Sequence, residues 1–170
     1  MELQKTQLAS LSDSQQRAIL ARLLAEKSLN VGRFPMSFGQ QGLWHAFRRN
    51  PELTAFNVFL PTRIRGPLCP QALQQSIHVV AQRHSALRTT FSDANNLLSQ
   101  VVSPSLMPEF KVWNMTGATD DQILDEVNRE VRRPFCLEQG PLLRVIVLQI
   151  SSSDWVVVAV THHIIDRDSQ

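Results

Sequence analysis

Residues 141–163, PLLRVIVLQISSSDWVVVAVTHH, decide the fold. Two runs rich in Val, Ile and Leu flank the turn cluster SSSD. Near-continuous branched apolar residues mark strands covered on both faces, and so short a polar link joins them as a hairpin. A second hairpin is expected upstream, where LRTTFS (87–92) and LLSQVV (97–102) flank the polar tetrad DANN. FNVFLPTRIR (56–65) alternates with period two, and Pro61 places it at an edge or a bulge. FKVWN (110–114) is a further short strand, and SPSLMP (103–108) a loop.

Helices separate these strands. Ser37 and Gln40 form a capping box ahead of QQGLWHAFRRN, which Asn50-Pro51 stops. Pro70 opens a helix with Leu73, Ile77 and Val80 on its apolar face, closed by Arg83-His84. Asp120 to Arg133 is another, with Ile123, Leu124, Val127 and Val131 inward. At the start, Ser12 and Gln15 cap an amphipathic helix carrying Ile19, Leu20, Leu23 and Leu24, and Val31–Pro35 reads as a linker. Helices interleaved with hairpins imply an α/β fold, a mixed sheet with helices packed on it. The expected division is 1–33, leading helix and linker, and 34–170, the main body.

The chain has 170 residues, 43% of them hydrophobic and 19% charged, the balance of a soluble globular domain. Its formal net charge of +2 gives no field to concentrate on phosphates, so neither nucleic acid nor a membrane surface is an expected partner. The longest unbroken apolar run, Trp155 to Val160, is far short of a membrane span. The opening MELQKTQLASLSD is polar and has no secretory pattern, so a cytoplasmic location is expected. Cys69 and Cys136 form neither a disulfide framework nor a metal knuckle, and Cys136 is expected as buried filler.

Chemistry concentrates at Thr161-His162-His163-Ile164-Ile165-Asp166-Arg167-Asp168, where a buried strand runs into two histidines and a charged turn. Strand side chains alternate between faces, so the two histidines diverge. A neutral imidazole at a strand end can take a proton from an amine or hydroxyl attacking an acyl group. A nearby carboxylate can fix its tautomer. A hydrogen-bonded core histidine is the rival reading, and diverging neighbours chelate one metal ion poorly.

Four stretches together point further. SFGQQGLW (37–44) resembles the opening motif of the condensation domains of nonribosomal peptide synthetases, matching at Ser37, Gln40, Leu43 and Trp44 and departing at Gly39 and Gly42. RHSALRTTF (83–91) is similar to the family's second motif and departs at Ser85, and RPFCLEQGPLLR (133–144) to its third and departs at Cys136. The fourth is the histidine pair, with Arg167 at the family's aspartate position and Asp168 at its glycine. One deletion in the turn would bring Asp166 to the aspartate's place. Alternatively, His162 and Asp166 span the bare His-x-x-x-Asp spacing of related acyltransferases.

The resemblance implies the N-terminal lobe of a chloramphenicol-acetyltransferase-like fold, two lobes with a tunnel between them. The C-terminal lobe and the strand exchanged between lobes are not covered. It implies amide formation between carrier-tethered acyl or peptidyl and aminoacyl thioesters. No bound cofactor is implied; phosphopantetheine arms of peptidyl or acyl carrier protein domains serve as tethers. His163 is the implied catalytic position, with His162 and Asp166 beside it. Two other readings stay open, a non-catalytic carrier-protein interaction module and an acyltransferase using coenzyme A thioesters. An isolated lobe is also expected to expose an apolar face and to self-associate.

Overall fold

The computed structural model describes residues 15, 17, 32–94 and 97–166. The capping box at Ser12 and most of the leading helix therefore lie outside the described residues; Gln15 and Arg17 are helical. Seven strands and three helices follow among the described residues. They run β1 Gly32–Pro35, α1 Phe38–Arg49, β2 Asn57–Arg65, α2 Pro70–Arg83, β3 Thr89–Ser92, β4 Ser99–Val102, β5 Glu109–Asn114, α3 Asp120–Val131, β6 Leu143–Ser151 and β7 Asp154–His162.

The main sheet has the order β2-β7-β6-β5. β6 and β7 form the expected hairpin, and β2 pairs antiparallel to β7 along its whole length. β5 runs parallel to β6, because α3 carries the chain back between them. The sheet is therefore mixed, as its connections predicted. β3 and β4 form the other expected hairpin, joined by β1 into a separate three-stranded sheet.

Alternation sorts the side chains of the main sheet. Val156, Val158 and Val160 of β7 stand opposite Leu148, Ile146 and Arg144 of β6, and this face carries the core. Trp44 of α1 and Ile123 of α3 close over it, with Phe135, Leu137 and Leu142 from the segment between α3 and β6. Full burial of each such side chain contributes about 1.5–3 kcal/mol. α1 starts where its capping box predicted: Ser37 Oγ accepts from Gln40 N at 3.2 Å, and Gln40 Oε1 accepts from Ser37 N at 3.0 Å.

Residues 32–35 are not linker but strand, paired throughout with β4. Val80 and Leu124, predicted inward, are both exposed. On α3 the inner face carries Glu126 and Glu130 beside Ile123, and Leu124 lies two residues from Glu126, about 200° around the helix. Cys136 is exposed rather than buried filler. Arg88 and Thr89 are scaffold: Arg88 donates to the carbonyls of Ala81, Gln82 and Ser103, and Thr89 Oγ1 to that of Ser85. No helix among the described residues is long and apolar enough to cross a membrane.

Candidate functional site

β7 ends at His162, and the chain closes at once into a 3-10 turn, His163–Ile165. The two histidines part company there. His162 is 4% exposed, on the core face, in register with Asn57 of β2. Its ring lies 6.2 Å from that of Phe56 and 6.3 Å, edge-on, from that of Phe135. Burial, helped by His163, pushes its pKa down to about 4, so the ring is neutral at cellular pH. Its Nδ1 accepts a hydrogen bond from Ile164 N at 3.1 Å and so caps the turn.

His163 faces outward, with 41% of its side chain exposed. Its amide donates to the Phe56 carbonyl at 2.9 Å, which ties the turn to the start of β2. Its Nδ1 lies 3.2 Å from Asp166 Oδ2. The pairing follows from the local backbone: in a 3-10 turn of three residues per turn, side chains at i and i+3 eclipse. The tautomer that donates Nδ1–H to this carboxylate carries its acceptor lone pair on Nε2.

The structure thus brings His163 and Asp166 together. His162 is beside them in sequence but turns into the core, so the His162–Asp166 pairing considered from bare spacing does not form. Arg167 and Asp168 lie outside the described residues.

An ionic cluster whose inner members, Arg144 and Glu130, are buried packs against Phe135. Arg144, 1% exposed, donates from Nε and Nη2 to the Glu130 carbonyl at 3.2 and 2.8 Å, and from Nη2 to the Arg133 carbonyl. Its guanidinium also stacks 3.9 Å from the Phe135 ring, the ring whose edge meets His162. Burial, and then repulsion from Arg133, lowers the Arg144 pKa to about 10. Arg133 bridges Glu130 at 3.0 Å and Glu109 at 2.9 Å. Burial alone would raise the Glu109 carboxyl; hydrogen bonds from Lys111 and Arg133 outweigh it and hold Glu109 below its ordinary range.

A further contact has no counterpart in the sequence reading. Gln40 Nε2 donates to the Ile164 carbonyl, distant in sequence but adjacent in space, at 3.4 Å. Gln40 stands out in the sequence as a capping residue and as a match to the opening motif, and neither signal names so distant a partner.

Comparison with solved structures gives the architecture first. The starter condensation domain of rhizomide synthetase RzmA superposes with a TM-score of 0.71 at 24% identity, over 78% of this chain and 33% of that one. The four-domain nonribosomal peptide synthetase AB3403 superposes with a TM-score of 0.72 at 19% identity, over 79% and 10%. The sequence then settles the family: residues 30–166 match the Condensation domain family, and the chain belongs to it. It is 36% identical over 135 residues to a linear gramicidin synthase protein of Brevibacillus parabrevis, over 77% of this chain and 3% of that protein. To phosphinothricin tripeptide synthetase PhsC of Streptomyces viridochromogenes it is 28% identical over 178 residues, covering 96% and 16%. The chain spans only a small part of these relatives' length.

Proposed function

We propose that this chain supplies the histidine-bearing part of an amide-forming condensation site. The donor would be an acyl or peptidyl thioester on the phosphopantetheine arm of one carrier protein. The acceptor would be the amine of an aminoacyl thioester on a second. His163 Nε2 takes a proton from the amine as the new C–N bond forms. The tetrahedral intermediate then expels the donor's thiol, which leaves with a proton as the C–S bond breaks. Asp166 holds the ring in the tautomer that keeps Nε2 as acceptor. Tethering both reactants supplies much of the remaining acceleration through proximity.

The observation that carries this reading is the outward ring of His163, at the tip of a buried strand, with Nδ1 on a carboxylate. His162, although a histidine of the same motif, is neutral, enclosed and occupied by the turn's backbone. Its burial removes support from a coenzyme A acyltransferase built on His162 and Asp166.

The test joins this chain to the remainder of a condensation domain and supplies loaded donor and acceptor carriers. His163→Ala is expected to lower the rate of product formation by about 10²–10⁴-fold, the usual contribution of a positioned base. Unchanged product formation would remove His163 from the mechanism. A chain that binds carriers yet gives no product before mutation would be the interaction module instead.

A further inference from the structure

We infer that Gln40 is a positioning residue for His163, acting through the peptide of Ile164; this rests on the reading of His163 as the base. Gln40 is 1% exposed. Its Oε1 completes the capping box by accepting from Ser37 N. A capping box asks only for an acceptor at this position, and glutamate serves as well as glutamine. The amide nitrogen is therefore not needed for the cap. That buried donor has to be satisfied elsewhere, and Nε2 meets the Ile164 carbonyl 124 residues away.

The partner it meets is decisive. Ile164 is the central residue of the turn between His163 and Asp166. Its N–H is held by His162 Nδ1 at 3.1 Å and its carbonyl by Gln40 at 3.4 Å. Both polar groups of one residue are thus clamped by side chains, from β7 and from the first turn of α1. Rotation of that residue's backbone would swing His163 away from Asp166 and change which ring nitrogen carries the proton. Gln40 accordingly couples the start of α1 to the orientation and tautomer of His163.

Two substitutions separate the two jobs of Gln40. Gln40→Glu keeps the cap and removes the donor to Ile164. Ser37→Ala removes the side-chain cap and keeps that donor. The readout is nitrogen NMR of histidine-labelled full chain, which reports the His163 tautomer directly. Gln40→Glu is expected to lower the ratio of Nδ1–H to Nε2–H tautomer by about tenfold, the effect of losing one hydrogen bond. Ser37→Ala should leave it within about twofold of the original. Gln40→Met, which adds no charge, should match Gln40→Glu; where it does not fold, the other pair still decides. An unaltered tautomer in Gln40→Glu, or an equal change in Ser37→Ala, overturns the inference. In the joined domain, Gln40→Glu should lower kcat by about tenfold and leave KM for both carriers unchanged. Failure of His163→Ala to affect turnover would refute the base assignment, whereas the NMR result judges Gln40 regardless.

Discussion

Adjacent identical residues can have opposite chemistry, and His162 and His163 show why. Alternation along β7 sends the His162 ring into the core, and the next residue, first of the 3-10 turn, leaves that face. The divergence of the two rings was legible in the sequence. The partner of His163 was not, because Asp166 meets it only when the strand ends at once in a 3-10 turn, and Ile164 and Ile165 read equally well as more strand. The buried ring has a measurable consequence. Folded His162 takes a proton only near pH 4, whereas an unfolded histidine does so near 6.5. Between those values the unfolded chain holds more protons, so stability falls as the pH drops. His162 should remove about 2 kcal/mol of stability between pH 7 and pH 5. Urea unfolding at the two pH values checks this against His162→Asn, whose side-chain oxygen can still accept from Ile164. Equal losses in both proteins would acquit the histidine.

Elements were legible where their signals were local. The Ser37–Gln40 cap, the stop at Asn50-Pro51 and both hairpins rest on neighbouring residues, and all formed as read. β1 was missed because Gly-Arg-Phe-Pro has no alternation or apolar run; it is a strand only because β4 offers it an edge. Leu124 was misplaced because hydrophobicity chose the inner face of α3. The structure fills that face with Glu130, which Arg133 and the buried Arg144 neutralise. Hence the α3–β6 connection should depend on Arg144. Arg144→Met leaves Glu130 and two carbonyls without this donor and should cost about 3 kcal/mol. Chemical denaturation measures it, and a loss below about 1 kcal/mol would reduce Arg144 to a minor brace.

At the scale of the whole molecule, the main sheet has one face under α1 and α3 and another that is partly open. Val58 and Leu60 of β2 and Val112 of β5 fall on that second face by register, and all three are exposed. Apolar surface of this kind drives association. Scattering mass of the isolated chain is expected to rise with concentration, and Leu60→Lys should suppress the rise; a strict monomer at high concentration contradicts this. Among the described residues β2 also presents one unpaired edge, with Pro61 at its middle. A proline offers no N–H, so a guest strand docking there meets a missing rung and can zip along only half the ladder at a time. The same ring that permits a short visitor therefore makes the molecule a poor template for endless stacking into fibrils.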